Sequence, residues 1–401
     1  MPHTLERFSI PAMHSRREFL KGVSLTLVAA CSANPSGCWT ADAADAPPIP
    51  GKEGMIVRSF RFLDLEMPPE YADSFITPIP HFFVRNHMHE PATLDASTWR
   101  LTVSGEVKKP LVFSLAELEK LESHAVVNAL ECAGNGRGLV DPHVSGIQWQ
   151  KGAVGNARFR GVRLADVLER VGVKSTGKHV MFRGLDEVPG KVPPFIRSIP
   201  LEKALHPDTL VATHINGVRL PKHHGFPARA LVPGWVGAAS CKWLAEIKVL
   251  NQPFDGNFMN PGYRLPNEPM KSGAAITLEN SHTLTDLNVK SLIAAPGDGA
   301  KLRSRAIRVR GVAWAGESEV ARVDVSTDSG ATWQAAELVK EHAKYAWRLW
   351  SFAFKAVKPG GCTIMSRASD SQGRVQPASV SWNPGGYLNN AIDRVNIYVE
   401  A

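Results

Sequence analysis

One cysteine marks the segment of this sequence with the clearest chemical potential, Glu131-Cys132-Ala133-Gly134-Asn135-Gly136-Arg137. The cysteine follows a run of β-forming residues, and the small residues after it allow another group to approach the backbone closely. A thiolate in this position could bind a soft transition metal or act as a nucleophile. The alternative is a buried structural cysteine, which is the commoner role of an isolated cysteine. The spacing alone leaves both roles open.

Basic residues cluster around turns in three other segments, Arg85-Asn86-His87, His224-Gly225-Phe226-Pro227-Ala228-Arg229 and Ser240-Cys241-Lys242-Trp243. Brought together, they could bind a phosphate or another oxyanion, because guanidinium and ammonium groups donate charge-assisted hydrogen bonds to such groups. Each segment taken alone is better explained by surface charge or by core histidines. The pairs His87/His89 and His223/His224 do not indicate zinc, since neither an H-E-x-x-H motif nor a third spaced ligand accompanies them.

Composition and missing motifs exclude several classes of function. The 401 residues are 44% hydrophobic and 21% charged, which is typical of a globular protein. Without C-x-x-C or C-x-x-C-H motifs, covalent haem and zinc ribbons are not expected. The glycine motifs of nucleotide-binding proteins and of serine hydrolases are also missing. The net charge of +8 is dispersed, which argues against nucleic-acid binding, and no apolar run is long enough to cross a membrane.

The first 46 residues are expected to be a twin-arginine export signal. Ser15-Arg16-Arg17-Glu18-Phe19-Leu20-Lys21 precedes a moderately apolar stretch, and small-residue cleavage sites follow at Ala41-Asp42-Ala43 and Ala44-Asp45-Ala46. A second possibility is lipidation at Cys31, because Val28-Ala29-Ala30-Cys31 resembles a lipoprotein box. This route carries folded proteins, commonly after a cofactor has been inserted. It therefore predicts a periplasmic protein and favours a complex cofactor.

Two kinds of pattern divide the mature chain. Residues 47–280 mix short strands with short helices, which predicts an α+β domain; the clearest helix signals are the capping box Ser114-Leu115-Ala116-Glu117 and the amphipathic stretch 164–171. The run 125–130 is predicted to be a strand that leads directly into Cys132. From residue 281 onward, apolar and polar residues alternate in short runs between turn signals, which predicts a β-sandwich. Its strands are expected at 307–314, 321–326, 331–338, 348–354, 363–368 and 394–399.

Many ordered segments resemble the sulfite oxidase family of molybdenum enzymes. In the first part of the chain these are Phe82-Phe83-Val84-Arg85-Asn86-His87, Glu131-Cys132-Ala133-Gly134-Asn135, Gly146-Ile147-Gln148-Trp149, Gly184-Leu185-Asp186, Ser198-Ile199-Pro200-Leu201, His224-Gly225-Phe226-Pro227-Ala228-Arg229 and Lys242-Trp243-Leu244. The second part adds Val323-Asp324-Val325-Ser326, Ala346-Trp347-Arg348-Leu349-Trp350 and Trp382-Asn383. The resemblance implies a sulfite oxidase-type molybdopterin-binding α+β domain over 47–280. It also implies an all-β, immunoglobulin-like dimerisation domain over 281–401 and a homodimer.

The resemblance also implies roles for individual residues. Cys132 would be the single protein thiolate on molybdenum, beside the two dithiolene sulfurs of molybdopterin, with one molybdenum per chain. The positions that match pterin contacts are Phe83, Val84, Arg85, Asn86, His87, Asp186, His224, Arg229, Ser240, Cys241 and Lys242. The positions that match the substrate pocket are Arg85, Arg137, Trp149 and Tyr263.

Two departures from the family affect the expected substrate. Gly136 stands where animal sulfite oxidases have the first of two arginines, and Gly385 replaces an arginine that the second domain contributes to the anion pocket. The expected function is a periplasmic, molybdenum-dependent sulfite dehydrogenase that oxidises sulfite to sulfate. Because the chain carries no haem motif, a separate c-type cytochrome is expected to accept the electrons. The alternatives are the sulfane dehydrogenase subunit of a thiosulfate-oxidising complex, a sulfoxide reductase for damaged methionine, and a scaffold without metal.

Overall fold

The computed structural model of the chain describes residues 49–400. The expected export signal over residues 1–46 lies outside the described residues, and so does the question of lipidation at Cys31. Among residues 49–400, strands far outnumber helices, and no helix there is long and apolar enough to span a bilayer.

The first part of the described chain contains fourteen strands and three short helices. The strands are β1 (Ile56–Ser59), β2 (Asp64–Glu66), β3 (Arg100–Gly105), β4 (Leu111–Ser114), β5 (Ser123–Glu131), β6 (Val154–Arg163), β7 (His179–Gly184), β8 (Ile196–Pro200), β9 (Leu210–Ile215), β10 (Val218–Arg219), β11 (Arg229–Leu231), β12 (Leu244–Leu250), β13 (Arg264–Pro266) and β14 (Ser281–Thr283). The helices are α1 (Leu115–Leu118), α2 (Leu164–Val171) and α3 (Leu201–Leu205).

Two five-stranded sheets form the framework of this part. One has the order β4-β3-β12-β7-β8, with β3 and β12 parallel and every other pair antiparallel. The other has the order β10-β9-β6-β5, with β11 also paired to β9. Since β5 pairs with β6 from Ser123 to Glu131, its end is fixed at residue 131 and Cys132 follows directly. The predicted strand before Cys132 is therefore confirmed.

Local sequence signals explain both predicted helices. The Ser114 hydroxyl accepts a hydrogen bond from the Glu117 N–H, and the Glu117 carboxylate accepts one from the Ser114 N–H, so the capping box is confirmed. Helix α2 buries Leu164, Val167, Leu168 and Val171 on one face, as its amphipathic pattern predicted.

The second part of the chain is all β, as predicted. Its strands are β15 (Lys290–Ala295), β16 (Ala300–Leu302), β17 (Ala306–Trp314), β18 (Val320–Ser326), β19 (Gln334–Ala335), β20 (Glu337–Leu338), β21 (Arg348–Lys355), β22 (Gly360–Asp370) and β23 (Asp393–Val399). They form two sheets with the orders β15-β17-β21-β20 and β16-β23-β22-β18-β19. Val309 and Trp350 from the first sheet share one buried cluster with Val323 and Ile364 from the second.

The structure has two short strands where the sequence predicted one strand over residues 331–338. They are β19, which pairs with β18, and β20, which pairs with β21 of the other sheet. The chain therefore crosses from one sheet to the other within this stretch, a change of partner that alternation along one segment does not reveal.

The hydrophobic core of the first part continues into the second. Val312, Trp314 and Trp347 belong to the same buried cluster as residues of β3 and β12. The Trp347 indole N–H also donates to the Ser74 carbonyl at 3.1 Å. Residues of the second part therefore help to hold the framework around Cys132.

Candidate active site

A cleft of about 640 Å³, including its open mouth, lies beside Cys132. The predicted site residues that line it are Phe83, Arg85, Asn86, His87, Cys132, Asp186, His224, Arg229, Ser240, Cys241, Lys242 and Tyr263. The fold thus brings together the separate basic segments and the cysteine.

Cys132 is fixed by backbone hydrogen bonds at the end of β5. Its N–H donates to the Ala153 carbonyl at 2.9 Å, and its own carbonyl accepts from the Asn135 N–H at 2.9 Å. The residue is 8% exposed. Burial raises the pKa of its thiol, although Arg85 and Arg137 act in the opposite direction. A metal cation at this position would stabilise the thiolate form.

The described residues do not form a complete set of ligands for such a metal. Within residues 49–400, no three His, Cys, Asp or Glu side chains lie close enough together to hold a metal ion. A metal bound at Cys132 would therefore take its other ligands from a cofactor or from water.

Two buried cations, Arg229 and Lys242, line the cleft, and a third is hydrogen-bonded to His224. Arg229 donates to the carbonyls of His224 at 3.1 Å and Ser240 at 2.8 Å. The Lys242 ammonium donates to the His223 carbonyl at 2.9 Å and to the Asn86 side chain. Burial lowers the pKa of Arg229 to about 10 and that of Lys242 to about 7. A bound anion would supply the counter-charge that these groups lack.

The third cation is Lys52, which the sequence did not indicate as a site residue. Its ammonium donates to the carbonyls of Ile79 at 2.6 Å and Phe82 at 2.7 Å, and it lies 2.9 Å from Nε2 of His224. Burial lowers the pKa of Lys52 to about 7, and it lowers the pKa of His224 well below its ordinary value. His224 is therefore neutral, and a charged Lys52 requires its Nε2 to accept.

The cleft lining also combines an arginine with a histidine–tyrosine pair. Arg85 donates to the Asp64 carboxylate at 3.3 Å, and the Asn86 N–H donates to the same oxygen at 3.1 Å. The ring of His87 is hydrogen-bonded through Nε2 to the Tyr263 hydroxyl. Burial lowers the pKa of His87 well below its ordinary value and raises that of Tyr263, so both groups are uncharged.

The buried donor and acceptor set fits an anionic pterin cofactor. Arginine and lysine suit its phosphate, while the acids suit the N–H groups of a pterin ring. Burial raises the pKa of both Asp64 and Asp186 to about 6, because it disfavours the charged carboxylate. A hydrogen-bond donor from the cofactor would stabilise such a carboxylate. Trp149 adds a buried indole N–H without a partner among the described residues.

Three predicted site residues do not line the cleft. The Val84 side chain is in the main core, and its backbone pairs with Leu65. Trp149 is fully buried in a cluster that also contains Cys132. Arg137 donates to the carbonyls of Gly385 at 2.8 Å and Ile147 at 3.1 Å. Their roles in the reaction stay predictions.

A side chain is disfavoured at both glycines that depart from the family pattern, at Gly136 by its positive φ and at Gly385 by a close neighbour. A Cβ at Gly136, whose φ is +94°, would lie 3.0 Å from the Asn389 Cβ. A Cβ at Gly385 would lie 2.1 Å from the Tyr387 ring. Tyr387 therefore occupies the space next to the backbone where the family has an arginine.

The chain matches two family models and several known proteins. The models are an oxidoreductase molybdopterin binding domain over residues 87–258 and a Mo-co oxidoreductase dimerisation domain over residues 281–400. The chain is 38% identical to the mitochondrial sulfite oxidase of Rattus norvegicus over 359 residues, which is 86% of this chain and 65% of that protein. It is 32% identical to the sulfite oxidase of Arabidopsis thaliana over 356 residues, 82% of this chain and 90% of that protein.

A solved structure shares the architecture of most of this chain. The crystal structure of the sulfane dehydrogenase SoxCD from Paracoccus pantotrophus matches with a TM-score of 0.76 at 27% identity. The match covers 91% of this chain and 95% of that chain. By contrast, the chain spans only about 65% of the length of the mammalian sulfite oxidases that it matches.

Proposed function

This chain belongs to the sulfite oxidase family of molybdopterin enzymes, and from that membership we propose that it is a molybdenum-dependent sulfite dehydrogenase. The observation that carries the proposal is the thiol of Cys132 in a cleft whose lining includes Arg85, Arg229 and Lys242. Such a cleft suits both an anionic cofactor and an oxyanion substrate. The overall reaction converts sulfite and water into sulfate, two protons and two electrons.

Specific residues would hold the cofactor. Cys132 would provide the protein thiolate, and Arg229 and Lys242 would bind the phosphate. Asp186 and the neutral His224 would form hydrogen bonds with the pterin. When bound, the molybdenum cofactor supplies the two-electron oxidation of the sulfur atom.

Arg85 would bind the substrate oxyanion. Asp64 and the Asn86 carbonyl accept hydrogen bonds from one nitrogen of its guanidinium, Nη1. The other guanidinium nitrogens have no hydrogen-bond partner within the described part of the chain, so they can donate to sulfite. Asp64 thereby orients Arg85 without contacting the substrate.

Tyr263 and His87 would form an uncharged hydrogen-bonding unit beside the same anion. Because the phenol stays protonated and the imidazole stays neutral, neither adds a negative charge that would repel sulfite. Either group can donate a hydrogen bond to the oxyanion as its charge changes during the reaction. Both rings pack against neighbouring aromatic rings, which keeps them oriented. The centroids of the His87 and Phe195 rings are 3.9 Å apart.

A periplasmic location and a separate electron acceptor are part of this proposal. The twin-arginine segment Ser15-Arg16-Arg17-Glu18-Phe19-Leu20-Lys21 supports export to the periplasm. The two electrons then leave in single steps to a separate c-type cytochrome.

We expect the purified, molybdenum-loaded protein to reduce cytochrome c or ferricyanide when sulfite is added, with two electrons transferred per sulfate formed. The absorbance of the reduced acceptor and ion chromatography of the sulfate formed would give this ratio. Protein purified from a host unable to make molybdopterin is the control and should be inactive. A molybdenum-loaded preparation that reduces no acceptor with sulfite would refute the proposal.

The sulfane dehydrogenase activity of a thiosulfate-oxidising complex is the second candidate. It is favoured by the structural match to SoxCD over 91% of this chain and by glycine at position 385. A persulfidated carrier protein would then be oxidised while free sulfite is not. The same acceptor assay with the two substrates separates the candidates.

A homodimer is expected because residues 281–400 match a Mo-co oxidoreductase dimerisation domain. Light scattering or analytical ultracentrifugation at micromolar concentration should give twice the mass of the mature chain. Truncation at residue 280 would not be a fair control, because the core of the first part includes Trp314 and Trp347. A monomeric mass of the full-length protein across this concentration range would show that the expectation is wrong.

A further inference from the structure

Two guanidinium groups and two tyrosine rings form a continuous series beside the cleft. The Arg197 Cζ lies 4.9 Å from the centroid of the Tyr263 ring, and the Tyr263 and Tyr387 rings stack at 5.2 Å with 15° between their planes. The Arg137 Cζ lies 5.4 Å from the centroid of Tyr387. Each guanidinium is within cation–π distance of one ring. We call these four residues the Arg–Tyr series.

Arg197 is the unexpected member of the series, because a buried cation normally has an acidic partner. It is 1% exposed, and it forms no ion pair with a carboxylate within residues 49–400. One guanidinium nitrogen donates to the Phe258 carbonyl, while Nε has no hydrogen-bond partner there. The face of the Tyr263 ring lies beside the guanidinium, and no carboxylate pairs with the Arg197 charge.

The position of Tyr387 is fixed by hydrogen bonds to its backbone. The Asn383 side-chain oxygen accepts from the Tyr387 N–H at 2.9 Å, and the Asn383 amide donates to the Tyr387 carbonyl at 3.0 Å. The Arg137 side chain is attached to the loop that carries Tyr387, because its Nε–H donates to the Gly385 carbonyl at 2.8 Å. The stacking surface for Tyr263 is thus set by the second part of the chain.

Tyr263 needs such support, because its backbone conformation is disfavoured. Its φ is +56°, in the left-handed region that bulky residues rarely adopt. Its hydroxyl is hydrogen-bonded to His87, and the residue lines the cleft. A displacement of the Tyr263 ring would disturb its hydrogen bond to His87.

We propose that Arg197 and Tyr387 are positioning residues that hold Tyr263, and that Arg197 also supplies positive potential which selects oxyanions in the cleft. This inference rests on the proposed function for the identity of the substrate. The Arg197 charge offsets the missing arginine at position 385, where the Tyr387 ring leaves no room for one. The selectivity of the pocket for a sulfur oxyanion is then set partly by a residue that does not contact the oxyanion.

Replacing Arg197 with methionine or lysine separates charge from shape. Sulfate serves as an unreactive oxyanion probe, and its Kd is measured by calorimetry on the molybdenum-loaded protein. We expect R197M to weaken sulfate binding about tenfold, as loss of a unit charge several ångströms away predicts. R197K keeps the charge, so its sulfate Kd should stay within about twofold. Its sulfite kcat should fall several-fold, since lysine lacks the planar surface that packs on Tyr263.

Two results would overturn the role of Arg197. One is a sulfate Kd, kcat and KM for R197M that all lie within twofold of wild type. The other is an equal loss of sulfate affinity in R197M and R197K, which would mean that charge is not what matters. Sulfate binding is measured independently of turnover. A protein with no sulfite activity would refute the proposed function, while the R197M and R197K comparison would still test this inference.

Tyr387 gives a second test that buries no unpaired charge. Tyr387→Leu removes the stacked ring and is expected to lower kcat several-fold at unchanged molybdenum content. Tyr387→Phe restores the ring and should recover most of the lost rate. Tyr398→Leu, at a tyrosine that is 52% exposed on β23, is the matched control and should behave as wild type. Wild-type kcat in Tyr387→Leu would overturn the role of Tyr387.

Discussion

Replacing Cys132 with serine is expected to lower sulfite turnover more than 100-fold and to reduce the molybdenum content of the purified protein. Loss of a group that merely orients a metal ligand already costs about 10–100-fold, so loss of the ligand itself costs more. A serine hydroxyl is a harder donor than a thiolate and is not deprotonated near neutral pH, so it cannot replace the sulfur. Metal analysis by mass spectrometry, together with the acceptor assay, measures both effects.

Cys362 provides a matched control for this substitution. It is a free, partly buried cysteine in β22 of the second part, and its Sγ lies 3.4 Å from the Thr327 carbonyl. Cys362→Ser should keep wild-type molybdenum content and activity. If Cys132→Ser matched Cys362→Ser in both measurements, the thiol of Cys132 would have no role as a metal ligand.

Breaking the buried ion pair next to Cys132 is expected to have the largest effect on stability. The Glu131 carboxylate accepts from the Lys290 ammonium at 3.0 Å, from the Asn135 amide at 2.8 Å and from the Trp314 indole at 2.8 Å. Lys290→Met removes one partner and leaves the carboxylate buried. This should lower the free energy of unfolding by about 3–5 kcal/mol.

The same substitution should also affect cofactor retention, because Glu131 immediately precedes Cys132 and binds the side chain of Asn135. Thermal unfolding and molybdenum content are measured together on Lys290→Met. Arg303→Ala is the control: Arg303 forms a 3.5 Å ion pair with Glu400 but is 95% exposed. Its loss should change stability by less than about 1 kcal/mol. Equal melting temperatures for the two variants would contradict the expected role of the buried pair.

Short-range signals predicted the elements that carry the site. The capping box at Ser114, the amphipathic spacing of α2 and the β-forming run before Cys132 each act within a few residues. Each therefore leaves a readable pattern in the sequence. The Asn216-Gly217 turn between β9 and β10 is a local pattern of the same kind, since both residues have positive φ.

Strand β6 shows why other elements could not be predicted. Gly155 and Gly161 interrupt its alternation, so the segment does not resemble a strand. In the fold, a Cβ at Gly155 would lie 2.8 Å from the Phe82 ring, and one at Gly161 would lie 2.1 Å from the Val211 carbonyl. The glycines are needed for close packing against distant segments, and that need is invisible locally.

The sequence by itself determined the family, the all-β character of the second part and most residues that line the cleft, because these follow from ordered motifs and local periodicity. Only the tertiary structure placed Lys52 beside His224, Asp64 beside Arg85, and Arg197 and Tyr387 beside Tyr263. Lys52 and His224 are 172 positions apart in the chain. Contacts over such separations depend on how sheets and loops pack, and neither periodicity nor spacing along the chain encodes which buried charge lies next to which ring.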